Sequence, residues 1–333
     1  MSDAASDKNS AAAAAADAPP LYLVDGSAMA HRAYHGFKNC EETLATATGE
    51  DTTAIVGFLN LFLQLLQRER PAQLAVCFDA KGCRASRQAQ VDEARAAAPV
   101  ALADWPDYKA HRKPSDPALM ASMPTLERFV AAMGCACLRV GGVEADDTIG
   151  TLATRAAAGG GEAVIVGVDK DFNQLISPRV SILCPRGGGE YEERGTAWFD
   201  GKFEGITPEL FPDFLALVGD SVDGIPGIRG VGPKRALLLM RDHGGVDSII
   251  AAVAAGEVGR KGKWLEALSA DSAPDMMRLG RRLAQLDNDV ETPPLSALQL
   301  VQPRRAVLHE LVARFELASL GDRLLAYEYD ADM

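Results

Sequence analysis

Three short apolar runs each end in an aspartate: Leu21 to Val24 leads into Asp25, Leu74 to Phe78 into Asp79, and Ala163 to Val168 into Asp169. Runs this short and apolar, alternating with helical stretches, predict strands buried on both faces of a mostly parallel sheet, so the fold class is α/β. Helices are predicted over Thr53 to Arg68, Pro117 to Met133, Ala145 to Ala158 and Pro208 to Val218. In the third, Ile149, Leu152, Ala153 and Ala156 follow the i, i+3, i+4, i+7 pattern of a one-sided helix. Open parallel sheets bind ligands beyond the carboxyl ends of their strands, which is where the three aspartates fall.

Residues 1–20 are Ala-rich, carry Asp3, Asp7 and Asp17, and lack the large apolar side chains that would offset the entropy of ordering, so a disordered tail is expected. The tail has neither the basic start and apolar stretch of a signal peptide nor the Arg-rich, acid-poor composition of a transit peptide, and the compartment stays open. From Gly219 onward the pattern changes to short, glycine-punctuated helices, which places a second, helical subdomain from about residue 205. No apolar run approaches the roughly 20 residues needed to cross a bilayer, so a membrane protein is not expected. The cysteines Cys40, Cys77, Cys83, Cys135, Cys137 and Cys184 form no CxxC pair and read as reduced, buried small hydrophobes. No histidine is spaced with them as a zinc site requires.

A formal net charge of −12 argues against a protein that coats nucleic acid, because phosphate neutralisation needs a surplus of Lys and Arg. Two local windows run the other way. Between Lys81 and Lys113, the cations Lys81, Arg84, Arg87, Arg95, Lys109, Arg112 and Lys113 outnumber Asp92, Glu93, Asp104 and Asp107. Between Gly224 and Gly245, Arg229, Lys234, Arg235 and Arg241 face Asp242 alone. The first window reads as a long Ala-rich loop, and loops above about 15 residues inside a compact domain are usually functional or disordered. Here the functional reading is favoured.

Asp25, Asp79 and Asp169 are joined nearby by Glu144, Asp146, Asp147 and Asp171, and later by Asp220 and Asp223. Taken alone, Glu144-Ala-Asp146-Asp147 is equally an acidic first helical turn stabilising the helix dipole, and the less favoured reading of Asp171 is a simple surface partner of Lys170. As a set, carboxylates gathered at one sheet edge repel one another unless cations are present. Hard divalent ions with oxygen ligands meet that need, and two of them about 4 Å apart suit in-line phosphodiester displacement. Nine carboxylates exceed what two Mg²⁺ ions ligate directly, so some act through water.

The second signal is Gly224-Ile-Pro-Gly-Ile-Arg-Gly-Val-Gly-Pro-Lys-Arg-Ala236. Gly227, Gly230 and Gly232 let backbone N–H groups approach a phosphate, and Pro233, Lys234 and Arg235 open a helix whose N-terminus adds positive potential. The bland alternative is a tight turn between packed helices. Such a helix-hairpin-helix grip reads backbone and carries no sequence information. In Tyr108-Lys109-Ala-His-Arg112, with Tyr108 and Arg112 at helical spacing, Tyr108 is a candidate to stack on an unpaired base while Lys109 and Arg112 hold the scissile phosphate, and a solvated amphipathic helix is the alternative.

These residues, Val24-Asp25-Gly-Ser27, Phe78-Asp79-Ala-Lys-Gly82, Tyr108-Lys109-Ala-His-Arg112, Gly142-Val-Glu144-Ala-Asp146-Asp147, Asp169-Lys-Asp171 and Gly219-Asp220-Ser-Val-Asp223 running on to Gly232, resemble the 5′ nuclease domain of bacterial DNA polymerase I within the wider flap endonuclease family. The resemblance runs from Leu21 to near Tyr327 and gives every acid of the family a counterpart in order. It implies a PIN-like nuclease core over 21–204 with a helical arch at about 81–116, a helix-hairpin-helix subdomain over 205–327 and a tail over 328–333. It further implies Mg²⁺ or Mn²⁺ dependence, K⁺ at the hairpin, cleavage of 5′ flaps and 5′-to-3′ exonucleolysis in replication and repair. Lys109 and Arg112 take the place of the family's basic pair.

No polymerase region follows, so a stand-alone, monomeric form is expected, working with a separate polymerase and ligase on DNA with 5′ ends or flaps. One departure stands out. Between Asp79 and Tyr108 the family is usually shorter and has a Phe-Arg signature absent here, with Arg84 or Arg87 as candidate substitutes and a widened arch as the alternative. Two other readings compete: a catalytically silent DNA-structure-binding protein, and a PIN-type ribonuclease, which explains the acids but not the hairpin.

Overall fold

A computed structural model describes residues 18–38, 44–259 and 262–329. Most of the expected N-terminal tail, Cys40 and the last four residues lie outside them. Six strands form one sheet: β1 (Leu21–Asp25), β2 (Gln73–Cys77), β3 (Ala136–Leu138), β4 (Ala163–Val166), β5 (Val180–Pro185) and β6 (Tyr191–Arg194), in the order β3-β2-β1-β4-β5-β6. All neighbours are parallel except β5 and β6, which pair antiparallel with Leu183 opposite Glu193. Strand order therefore runs outward from β1 in both directions, which makes the carboxyl ends of β1 and β4 the topological switch point. Asp25 is the last residue of β1, and Asp169 follows β4 after Gly167 and Val168.

Alternation along the strands divides the core in two. Leu21, Leu23, Ala75, Cys77, Ile165 and Ile182 face one side, where they meet α5 (Ala145–Ala158) and the helices that follow the sheet in sequence. Tyr22, Val24, Leu74, Val76, Val166 and Leu183 face the other, against α1 (Gly26–Lys38), α2 (Thr53–Glu69) and α4 (Pro117–Ala132). The α2 sequence buries Phe58, Leu59, Phe62, Leu63, Leu65 and Leu66 completely, and Arg70 ends it in a left-handed conformation with its N–H on Leu66 O.

On the first side, α7 (Phe211–Val218), α8 (Pro233–His243), α9 (Val246–Ala254), α10 (Lys263–Leu268) and α11 (Ala273–Ala284) pack in one continuous core with α5, reached through the short α6 (Thr196–Lys202). The last two helices, α12 (Arg305–Arg314) and α13 (Ala318–Ala326), do not join that group. Leu308, Leu311, Phe315, Leu320 and Leu324 bury themselves on the opposite side of the sheet with α2 and α4. The expectation of one helical subdomain over 205–327 is thereby corrected: the chain recrosses the sheet edge at Gln299, bridged to Gln73, because the apolar faces of α12 and α13 match the second core. No described helix is long and apolar enough to cross a membrane.

The stretch between β2 and α4, expected as a loop or an arch, contains helix α3 (Ala85–Ala97), which lies against α11. Val91, Leu102 and Trp105 of this stretch are buried in the first core. The insertion is packed down onto the helical side, which does not support a widened arch. The described cysteines are all unpaired; Cys77, Cys135 and Cys184 are buried as expected, whereas Cys83 and Cys137 are only partly so.

Candidate active site

The switch point collects the predicted acids. Asp25 Oδ1 accepts from Ala28 N at 2.8 Å, anchoring it to the first turn of α1. Asp79 Oδ1 accepts from Ala145 N at 2.9 Å, while its own N–H donates to Ser27 Oγ at 2.9 Å, so the carboxylate caps α5 and the residue links it to the first turn of α1. Asp169 Oδ1 accepts from Asp171 N at 3.0 Å and fixes the tight 3-10 turn Lys170–Leu175. Asp146, in the first turn of α5, accepts no hydrogen bond from the described residues.

Electrostatic crowding marks the group. Burial pushes the Asp25 carboxyl up to about 7, and the Asp79 and Asp169 charges add to it. Asp146 is held well above the usual range by burial and then by Asp169 and Asp25. Burial again leads for Asp169 and Asp171, with Asp223 and Asp220 raising both. Carboxylates this close stay ionised only with added cations.

Asp171, Asp220 and Asp223 are buried, and one oxygen of each lies within 4.8 Å of the others. Asp171 Oδ1 is buried without any hydrogen-bond donor. An all-carboxylate donor set with an orphaned oxygen fits a hard divalent cation. Lys170 pairs with Asp220 Oδ1 at 2.6 Å rather than with Asp171, so the simple surface-pair reading of Asp171 does not hold.

Two expected ligands are placed differently. Asp147 faces away from the open site and gives both oxygens to Arg87, at 2.7 and 2.8 Å. Glu144 divides its oxygens between Lys109 Nζ at 2.7 Å and Arg87 Nη1 at 2.5 Å. Asp147 carries a buried structural ion pair, and Glu144 is occupied by cations of the chain itself. Arg87 had been only a substitute for a missing signature; its full engagement was hidden because its acceptors lie up to 198 residues away.

Tyr108 is corrected as well. Its side chain is 6% exposed and its hydroxyl lies 3.1 Å from Glu144 and 3.4 Å from Asp223, so its ring is not offered to a base. The sequence Trp105 to Arg112 is not helical but crosses the site in successive turns. Lys109 sits within it at φ 54°, a conformation that costs a non-glycine residue about 1 kcal/mol or more and is typical of functional sites. Lys109 as a whole is 4% exposed; its ammonium also lies 3.5 Å from Asp223, and Arg112 reaches Asp223 at 2.6 Å.

The glycine hairpin leaves the same turn that holds Asp220 and Asp223. Asp220 and Ile225 exchange backbone hydrogen bonds of 2.7 and 2.8 Å, and Ile228 N donates to Leu217 O at 2.9 Å. At its tip Arg229, Gly230, Gly232 and Lys234 are exposed at the start of α8. Arg229 was counted for its charge alone. Arg235 folds back, donating to Gly230 O and stacking 4.8 Å from the Trp264 ring centroid, so it braces the hairpin.

Gly227 is buried inside it at φ 68°, where a Cβ would press into the backbone of Gly219 and Val218. Gly227→Ala is expected to destabilise the protein by about 3 kcal/mol. Thermal melting checks this; a variant that melts like the wild type would show that the hairpin yields.

Residues 20–203 match the family described as 5'-3' exonuclease, N-terminal resolvase-like domain, and residues 206–306 match 5'-3' exonuclease, C-terminal SAM fold. The chain is 33% identical over 230 residues to a 5'-3' exonuclease of Aquifex aeolicus, covering 69% of this chain and 72% of that protein. It is 36% identical over 309 residues to DNA polymerase I of Pseudomonas aeruginosa, covering 92% of this chain but 31% of the polymerase. The chain thus spans about a third of the polymerases it matches.

Among solved structures, the T5 D15 protein co-crystallised with metal ions shares the fold at TM-score 0.59 and 16% identity, covering 92% of this chain and 97% of that one. The catalytic core of Rad2 in complex with DNA substrate follows at TM-score 0.57 and 14% identity, covering 92% and 91%. The expected PIN-like core with a helical C-terminal region is borne out, and the chain belongs to the 5'-3' exonuclease family.

Proposed function

We propose that this member of the 5'-3' exonuclease family hydrolyses DNA phosphodiesters at 5′ ends and 5′ flaps, with its acids divided between two cation positions. Asp25, Asp79, Asp146 and Asp169 surround one, at the switch point; Asp171, Asp220 and Asp223 form the other, with Asp169 close to both. The observation that carries this is the orphaned Asp171 oxygen inside a three-carboxylate group on the turn that also launches the hairpin. When bound, Mg²⁺ or Mn²⁺ supplies the charge that in-line displacement at phosphorus needs.

The chain's own residues do the rest. Lys109, which keeps Glu144 on one of its three N–H groups, and Arg112, once released from Asp223, are positioned to hold the scissile phosphate, and the exposed tip at Arg229, Gly230, Gly232 and Lys234 grips the duplex backbone beyond it. That tip favours DNA over the ribonuclease reading, and the complete acid set opposes a silent binder. K⁺ at the hairpin gains no support, because Gly230 O accepts from Arg235 and Gly232 O from the N–H groups of Arg235 and Ala236. A polymerase and a ligase are the partners the reaction calls for, since flap removal leaves ends to fill and seal.

Matched 5′-labelled DNA and RNA flaps test the assignment. Cleavage of the DNA flap in Mg²⁺ or Mn²⁺, its loss in EDTA and slower cleavage of the RNA flap are expected. Preference for RNA would sink the substrate assignment, and inertness in both metals would leave a binding protein.

A further inference from the structure

We propose that Arg87 is a positioning residue of the nuclease: it commits Glu144 to Lys109, withdraws Asp147 from cation binding and fixes both to the end of α11, a role that rests on the nuclease reading above. Arg87 is 6% exposed and lies in the insertion, on α3. Each of its five donors meets an acceptor. Nη1 reaches Glu144 Oε2 at 2.5 Å and Asp147 Oδ2 at 2.8 Å; Nη2 reaches Asp147 Oδ1 at 2.7 Å and Gln285 O at 3.5 Å; Nε reaches Leu283 O at 3.3 Å. A lysine has neither the reach nor the fork for this.

The arrangement sorts three acids that leave the chain together at the start of α5. Asp147 is saturated by Arg87 and by Asp287 N at 3.0 Å. Glu144 Oε2 is shared by Arg87 and the Tyr108 hydroxyl, which leaves Oε1 for Lys109 alone. Only Asp146 is left to the open site. The helix that carries Arg87 also shapes the backbone leading to Lys109. Gln88 Oε1 accepts from Tyr108 N at 2.9 Å, Arg95 Nη1 pairs with Asp107 at 2.7 Å, and Arg95 Nη2 donates to Trp105 O. On its far side, Arg282 donates to Gln90 O at 2.7 Å. The insertion is therefore a strut from α11 to the phosphate-handling lysine, with Arg87 as its joint.

Removing Arg87 alone would strand a buried carboxylate. The informative variant pairs Arg87→Met with Asp147→Asn, whose oxygen still accepts from Asp287, and takes Asp147→Asn as its reference. The readouts are melting temperature, kcat and KM on a 5′ flap, and a cycle with Lys109→Met. The pair is expected to fold, to lose about 30- to 100-fold in kcat with KM within about 3-fold, and to gain little further loss from Lys109→Met, because Arg87 acts by positioning Lys109 through Glu144.

Arg87→Lys, which keeps the charge, is expected to lose about 10-fold in kcat and serves as the deciding variant should the pair not fold. A folded pair or Arg87→Lys with the reference kcat overturns the proposal, as does full multiplication of the Lys109→Met loss. Absence of cleavage by the wild type itself overturns the nuclease reading instead.

Discussion

Asp146→Asn is expected to remove DNA-flap cleavage by about 10³-fold or more in Mg²⁺ while leaving flap binding intact. The reason is the isolation of this carboxylate. Asp79, Asp169 and Asp220 each accept a backbone N–H that holds a turn in place, so replacing them mixes structural with chemical loss. Asp146 holds no such bond, and its charge is opposed by Asp169 and Asp25. Neutralising it relieves repulsion in the metal-free protein and removes an attraction to Lys109 and a first-turn dipole interaction of roughly 0.5 kcal/mol. The melting temperature without metal should therefore hold or rise while the ability to bind cations and cleave falls. Single-turnover cleavage, flap titration in Ca²⁺ and melting in EDTA separate the three. Near-wild-type cleavage by a folded Asp146→Asn protein would remove Asp146 from the site.

The acids were legible in the sequence because strand ends announce themselves. Asp25, Asp79 and Asp169 each close an apolar run, and a parallel sheet sends such residues to one edge whatever the details of the connections. The hairpin was legible for a similar local reason: positive-φ glycines at Gly224, Gly227 and Gly230 mark turns that other residues resist. The orientation of each carboxylate was not legible. Asp146 and Asp147 are adjacent and chemically identical, and only the helix geometry that points Asp147 at Arg87 separates a cation ligand from an ion-pair partner.

Tyr108 failed for the same reason. An aromatic before two cations fits base stacking and a buried hydroxyl equally well, and its partners Glu144 and Asp223 are 36 and 115 residues away. The short β3 and the antiparallel β6 were missed because three or four residues give no periodicity to read. The return of α12 and α13 to the sheet was missed because an amphipathic helix states that it has an apolar face, not which core receives it.

In EDTA the protein is expected to melt at a lower temperature at pH 8 than at pH 5.5, and a saturating divalent ion is expected to erase the difference. Asp25 is held up to about 7, and Asp146, Asp169 and Asp171 are also raised. A carboxyl raised in the folded state binds protons there that the unfolded chain has released. Its contribution is fully present below the unfolded value, near 4, and is lost as pH rises through the folded one. The window for Asp25 therefore runs from about pH 4 to pH 7. Asp116 and Glu192, lowered to about 2 by Lys38 and Arg186 respectively, titrate below that window. His31, lowered by burial and by His35, acts in the opposite sense near neutrality, as one half-buried group against four crowded carboxylates.

A divalent ion at 100 times its Kd adds about 2.7 kcal/mol per site, so two sites raise the melting temperature at pH 8 by roughly 10–20 °C. The same ion must displace protons at pH 5.5 and gains less there. Calorimetric scans at both pH values, in EDTA and in Mn²⁺, read all four states. A melting temperature in EDTA that rises from pH 5.5 to 8, or that ignores Mn²⁺ at pH 8, would mean that the crowded acids are already neutralised by Lys109, Arg112, Arg87 and Lys170, and that the cations of the chain rather than metal ions hold the site together.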